Sequence, residues 1–327
     1  MTSPVAVARG LAAAVLAPAA AEVDRSGVLP RGHLDALADA GLYGLIGPAH
    51  AGGLGADLGT FAAVVEELAA GDLAAAFVWL QHHGVVGRVA AAGSDPGLLA
   101  GLCRGRVRAG IALQAATRPD AAPVTVRRDV SDLVLDGAAP WVTGWGLLDL
   151  LLVAARDGDD VAFVLVDAVE GPTLAVLPQS LVAVQASATV ELRLTGHRVP
   201  SARLVGRTPL AAVRAGDAAG LRLNGSLALG LVLRCTRLLG PSPLDDDLGA
   251  ARARLDAAGP GELPDARAEA AALAHRASGA LVVATGSAAV RAGSVAERTA
   301  REALFLLVFG SRPAIRASLR ARLGAAG

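Results

Sequence analysis

Trp141 and Thr143, in the run Ala139-Pro140-Trp141-Val142-Thr143-Gly144-Trp145, are the residues whose types and spacing point most directly to chemistry. Positions i and i+2 of a β-strand project to the same face, so an indole would cover a flat ring while a hydroxyl bonds the ring's edge. The plain alternative is a core Trp beside a β-former, and Trp145 is a weaker second aromatic. Far downstream, Leu306-Leu307-Val308-Phe309-Gly310-Ser311 carries no group able to take a proton. Acid or base candidates are therefore sought elsewhere. Glu302 precedes Phe309 by about two helical turns, with a helix-surface salt bridge as its bland reading. His82 and His83 are adjacent and diverge by about 100° on a helix, so at most one enters a common site. Asp217 and Arg222 are a pair able to meet a phosphate, or plain surface charge.

Composition bounds the choices. The 327 residues suffice for one large domain or two to three smaller packed ones. At 53% hydrophobic and 3% aromatic residues, the core must be built mainly from Ala, Val and Leu. All 30 basic residues are Arg, which excludes a lysine Schiff base. The formal net charge is +0 with the arginines spread along the chain, so nothing resembles a nucleic-acid footprint. Cys103 and Cys235 lack the spacing of a metal site, a redox pair or a disulfide framework, which fits a reducing cytoplasm. Leu11 to Ala21 has the outline of a short signal peptide but reads better as an Ala-rich first helix. No uninterrupted apolar segment reaches the roughly 18–20 residues expected of a membrane span.

The elements that must position these residues change period twice. Leu34, Leu37, Ala38 and Leu42, then Phe61, Val64, Val65 and Leu68, recur at helical spacing, with the glycines of Pro48 to Gly55 marking a loop between helices. From about Val107 come short β-prone runs: Val124–Val126, Leu133–Gly137, Leu150–Ala154, Val161–Val166 and Val190–Leu194. Helical spacing returns near 209–239, 247–257, 264–292 and 295–325, with breaks at Gly240-Pro241-Ser242-Pro243, Gly259-Pro260-Gly261 and Pro313. The expected fold class is α+β: an all-helical N-terminal domain (1–106), a small central β-barrel or sandwich (107–206) and a C-terminal four-helix bundle (207–327).

On these residues the chain resembles the acyl-CoA dehydrogenase family over essentially its whole length. Trp141-Val142-Thr143-Gly144 is similar to the family's Trp-(Ile/Val)-Thr-(Asn/Gly) strand. Pro48-Ala49-His50-Ala51-Gly52-Gly53-Leu54-Gly55 is similar to its Pro-x-x-x-Gly-Gly-x-Gly loop, which Glu66-Glu67-Leu68 follows, and Val199 to Gly206 to its hinge into the last domain. The resemblance implies FAD, with Trp141 packed on the isoalloxazine and Thr143 bonded near N5. It implies that Gln114, within a strand Ala112–Asp120, contacts the flavin edge, and that Arg237 in Arg237-Leu238-Leu239-Gly240 reaches the pyrophosphate across a subunit boundary. The family's Tyr-Glu-Gly-Thr falls on Val308-Phe309-Gly310-Ser311, so its catalytic Glu is Phe309 here. The alternative Glu position, in Gly220 to Ser226, also lacks a carboxylate. The adenine-side loop Gly-Gly-x-Gly-Tyr has become Gly286-Ser287-Ala288-Ala289-Val290.

The implied function is an FAD-dependent oxidoreductase acting on an acyl thioester of CoA or a carrier protein, cytoplasmic, as a homodimer or tetramer. The missing base makes it equally one half of a heteromer whose related partner supplies the Glu. A flavin-dependent monooxygenase on the same scaffold needs no α-proton base. A flavin-free scaffold docking through the stripe Leu304, Leu307, Val308, Ile315 and Leu319 is the reading from a different class.

Overall fold

The computed structural model describes residues 2–93, 95–117, 122–215, 218–310 and 312–324 of the chain. Helix α1 (Pro4–Leu11) runs through a π-helical turn at Ala12–Leu16 into α2 (Ala17–Ser26). This rod buries Ala8, Ala12, Leu16, Ala20 and Val23. By length and composition Pro4–Ser26 is long and apolar enough to cross a membrane, although Arg9, Gly10 and Pro18 interrupt its apolar run. Helices α3 (Arg31–Asp39), α4 (Leu58–Gly71), α5 (Leu73–Ala92) and α6 (Pro96–Cys103) complete the first helical layer. Asp57, Asp72 and Asp95 cap the last three, each accepting a backbone N–H three residues on, which satisfies donors the helix leaves open. Helix α5 is buried nearly all round, so its sequence shows little amphipathic pattern.

The β layer is one eight-stranded sheet. It comprises β1 (Ala109–Ala112), β2 (Thr125–Asp129), β3 (Asp132–Val142), β4 (Leu150–Asp157), β5 (Asp160–Asp167), β6 (Leu174–Pro178), β7 (Val190–Pro200) and β8 (Leu204–Pro209). The order is β6-β7-β3-β2-β4-β5-β8, with β1 parallel to β4 and most other pairs antiparallel. Strand β4 is buried on both faces: Leu151, Val153 and Ala155 enter the core within the sheet domain, while Leu150, Leu152 and Ala154 pack with Val85, Val86 and Val89 of α5. That double burial explains its unbroken apolar run. Two expectations are corrected here. The strand foreseen over Ala112–Asp120 ends at Ala112, Gln114–Thr117 forms a short helix α7, and Arg118 to Asp120 lie outside the described residues. The proposed hinge at Val199 to Gly206 belongs to the sheet, as the end of β7, a tight turn and β8.

The C-terminal layer holds α8 (Leu210–Ala215), α9 (Ala218–Leu239), α10 (Pro243–Ala257), α11 (Leu263–Thr285), α12 (Val295–Val308) and α13 (Pro313–Arg322). The breaks expected at Gly240–Pro243 and at Pro313 are present: α9 ends at Leu239 and α12 at Val308, and each proline opens the next helix, because the first helical turn needs no donor from proline. At the start of α10 the Asp245 carboxylate accepts from the Ser242 backbone N–H at 2.9 Å, one arm of a capping box.

The helical layers are tied by buried charge. Arg234 of α9 donates to the carbonyls of Ala69 and Ala70 at the end of α4, at 2.9 Å each, and to Glu302 of α12. Arg298 stands 3.7 Å from the same carboxylate. Removing one partner from a buried ion pair leaves the other uncompensated and typically costs about 3–5 kcal/mol. Glu302→Ala is therefore expected to lower unfolding stability by about that amount in urea denaturation, while the exposed Arg276→Ala changes it by less than about 1 kcal/mol.

Candidate functional site

The site begins at the end of β3. Ala139 pairs with Leu192 and Val142 with Val190, so two residues of β3 oppose one of β7 in a β-bulge. Trp141 sits in that bulge with φ 62°, a left-handed conformation that bulky residues rarely adopt, and its side chain is 47% exposed. Thr143 lies past the strand end and is buried. The expectation of two side chains sharing one face by simple alternation is thus corrected, since the bulge absorbs a residue.

Beneath the bulge lies a chain of hydroxyls. Thr143 Oγ1 is 3.4 Å from Thr189 Oγ1, which is 2.8 Å from Ser187 Oγ. The same segment holds the backbone after Trp141: Gly144 N donates to Ser187 O at 2.8 Å and Trp145 N to Ala188 O at 3.1 Å. Val184 and Ala188 are left-handed at φ 51° and 47°. Of the four non-glycine residues with positive φ among the described residues, three, with Trp141, belong to this one junction. Strain of this kind persists where surrounding contacts enforce it and clusters at functional sites. Arg301 of α12 supplies one such contact, donating to Val182 O at 2.9 Å while its fork grips Asp24 of α2.

The other candidate residues are placed as follows. Gln114 opens α7, half-buried. Arg237 ends α9 and donates to both oxygens of Glu67, at 3.0 and 2.8 Å, a carboxylate that also accepts from Arg9. A flat ring with hydrogen-bonding edges suits the exposed Trp141 and the hydroxyl chain. At Arg237, where a diphosphate would bind, Nη2 is already engaged by Glu67. Asp217 lies outside the described residues; Arg222 is buried, bonded to Asp256 at 2.7 Å and Ser226 at 2.6 Å, rather than being a surface charge.

Phe309 caps the end of α12 and stacks on Phe305, with centroids 5.1 Å apart, and edge-on to Phe77 of α5 at 4.7 Å. Its carbonyl accepts from Arg267 at 3.3 Å. Glu302, the substitute base considered above, is buried in the ion network with Arg234 and Arg298, not on a helix surface. Both histidines are buried as well. Ala109 N donates to His82 Nδ1 at 3.1 Å, so the ring is neutral with its proton on Nε2, facing Leu102 O. Burial, first, and the neighbouring His83 hold the His82 pKa well below its ordinary value; burial lowers that of His83 to about 4. A cleft of about 540 Å³ lined by Val107, Asp149, Leu165 and Arg203 lies on the α5 and α6 side of the sheet and includes neither Trp141 nor Thr143. Its Asp149 is already engaged by Arg108 N.

Sequence reasoning missed Phe77, Arg267, Ser187 and Thr189. Phe77 and Arg267 lie in apolar helical runs that read as core and surface, and only the chain path brings Ser187 and Thr189 beneath Thr143.

The chain is thus built as three layers of helix, sheet and helix, with a strained bulge at the sheet end. Residues 5–96 match the acyl-CoA dehydrogenase N-terminal domain, and the whole chain has the acyl-CoA dehydrogenase fold. Butyryl-CoA dehydrogenase from Megasphaera elsdenii superimposes with a TM-score of 0.83 at 17% identity, over 98% of this chain and 96% of that one. Acyl-CoA dehydrogenase from Geobacillus kaustophilus gives 0.81 at 16% identity, over 98% and 96%. Glutaryl-CoA dehydrogenase from Mycobacterium smegmatis, in complex with FADH2, gives 0.76 at 18% identity, over 99% and 94%. No curated protein matches the sequence.

The buried histidines make stability pH-dependent. Between the unfolded pKa of 6.5 and the folded value of about 4, the unfolded chain takes a proton on His83 that the folded chain refuses, so acidification through this window destabilises. Asp72, raised to about 6 chiefly by burial, works in the opposite direction, since its folded form takes the proton first. Against a His83→Gln variant, which keeps the Asp72 effect, the wild-type chain should lose up to about 1.4 kcal/mol more per pH unit across that window in urea titrations.

Proposed function

We propose that this chain is a cytoplasmic FAD-binding protein of acyl-CoA dehydrogenase type, directed at an acyl thioester of CoA or a carrier protein, that supplies no α-proton base of its own. The observation that carries this reading is Phe309, packed between Phe305 and Phe77 where the family resemblance puts a glutamate. Abstraction of an α-proton needs a carboxylate within hydrogen-bond reach, and the three rings offer no lone pair. Bound FAD would accept a hydride. Toward it, Trp141 would cover the ring and Thr143, relayed by Thr189 and Ser187, would offer a hydroxyl to its edge. Gln114 would contact the ring edge and Arg237, once released from Glu67, the pyrophosphate.

Such a chain works as the base-lacking subunit of a heteromer with a related dehydrogenase, or assembles with itself as a dimer or tetramer. A second reading, a flavin-free scaffold for a true dehydrogenase, is favoured by the commitment of Arg237 to Glu67.

Visible absorption of the full chain with added FAD, alone and with a co-expressed related subunit, tests this. The expected result is flavin bands near stoichiometry, acquired alone or with the subunit. Trp141→Gly should weaken FAD binding while leaving stability within about 1 kcal/mol of wild type, because relief of left-handed strain offsets the backbone freedom of glycine. A chain colourless under both conditions is the scaffold instead.

A further inference from the structure

Arg301 of α12 commits every nitrogen of its guanidinium, and to three different elements. Nε donates to Glu297 one turn back; Nη2 reaches Glu297 at 3.0 Å and Asp24 of α2 at 2.5 Å; Nη1 reaches Asp24 at 3.0 Å and the Val182 carbonyl at 2.9 Å. The carboxylates alone would suffice to lock α12 on α2. Val182 is a different kind of partner, because it lies in the connection between β6 and β7, whose regular structure is a single tight turn at Gln185–Ser187. That connection supports the bulge: Ser187 O and Ala188 O accept from Gly144 N and Trp145 N, and the Ser187 and Thr189 hydroxyls lead to Thr143. Its own conformation is unfavourable, with buried Val184 at φ 51° and Ala188 at φ 47°. Gln185 ties it from within, accepting from Leu181 N at 2.6 Å and donating to Gln179 O at 3.3 Å. From outside, α2 packs Gly27 against Gln185, where a Cβ would stand 3.0 Å from Cγ. Among the described residues, Arg301 is the one side chain of the helical layers that hydrogen-bonds the connection.

We propose that Arg301 is a positioning residue for the ring face: acting through residues 182–189, it holds Trp141 and Thr143 in the arrangement that takes the flat ring and so sets the affinity for it. The role rests on the FAD-binding reading above. Strained backbone persists only where its surroundings over-determine it, and the Val182 bond is the tie that anchors this strain to the helical layers. Without it the connection relaxes toward ordinary backbone angles. Ser187, Ala188 and Thr189 then shift, and with them the backbone after Trp141 and the hydroxyl beside it. A guanidinium is suited to the task, since its planar fork bonds two carboxylates and a carbonyl at once, which an ammonium on a flexible stem does not.

Titration of FAD into the full chain, alone and with the related subunit, tests the inference. Arg301→Met keeps the stem and loses every donor, so its FAD dissociation constant should rise about tenfold, as loss of a charge-assisted hydrogen bond implies. Arg301→Lys, which keeps a cation but not the fork, should fall between that variant and wild type, and it carries the test if Arg301→Met does not fold. Asp24→Asn weakens the ion pair between α2 and α12 and leaves the Val182 bond, so it should lower the melting temperature with FAD affinity unchanged. A spectroscopic readout separates positioning from plain stability: at saturating FAD, flavin emission quenched by the Trp141 indole should partly recover in Arg301→Met and not in Asp24→Asn. Wild-type affinity and quenching in both Arg301 variants would overturn the positioning role and leave the flavin reading standing, as would an Asp24→Asn chain that matches Arg301→Met in both. Failure of the wild-type chain to bind FAD under either condition would remove the flavin reading and the role with it.

Discussion

Two adjacent carboxylates on α4, Glu66 and Glu67, are buried, and the rest of the helical structure is arranged to neutralise them. Arg252 of α10 bonds Glu66 at 2.6 Å with Arg222 at 4.0 Å, and Arg9 of α1 and Arg237 of α9 close on Glu67. One turn on, Arg234 takes the terminal carbonyls of α4 and carries the link to Glu302 of α12. A buried charge is tolerable only when matched, so α1, α9, α10 and α12 have one register in which to dock on α4. Burial dominates even so: it pushes the Glu66 pKa up despite the two arginines beside it. Close packing reinforces the register, since a Cβ on Gly230 of α9 would stand 2.6 Å from Glu66 O.

That register fixes where α12 ends, and with it the chemistry. Glu302 is locked in the interior seven residues before Phe309, so the helix delivers Phe305 and Phe309 to Phe77 and the carbonyls of Leu306 and Phe309 to Arg267. Arg301, one residue before Glu302, reaches out to Val182 and Asp24 and so connects α12 to the strained segment under Thr143. The aromatic corner and the hydroxyl-lined bulge are thus held by neighbouring residues of one helix. The bulge and the aromatic corner rest on different groups, so a change in one leaves the other's packing in place.

Much of this was legible in the sequence, where local physics agreed with tertiary packing. The switch from helical to alternating spacing and back exposed the three layers, and Trp141 and Thr143 were visible as a pair. What was hidden depended on long-range geometry. The bulge that parts Trp141 from Thr143 arises from pairing with β7, not from its own residues. Strands β6 and β8, and the short helix at Gln114, lack a decisive local pattern. The burial of Glu302, Arg222 and both histidines could not be read from charge alone, since each is charged or polar on a face that only the neighbouring helices make interior. The helix breaks ahead of Pro243 and Pro313 were legible as well, because proline disfavours helix interiors and is accepted in the first turn of the next helix.

We propose that no group among the described residues takes an α-proton from an acyl thioester. Exchange at that carbon measures it most directly: butyryl-CoA held with the FAD-supplemented chain in deuterium oxide and followed by mass spectrometry. The account predicts deuterium uptake no faster than in a protein-free control, with exchange appearing only when a base-bearing subunit is added. Uptake catalysed by the chain alone would contradict it and require a base other than the residue at position 309.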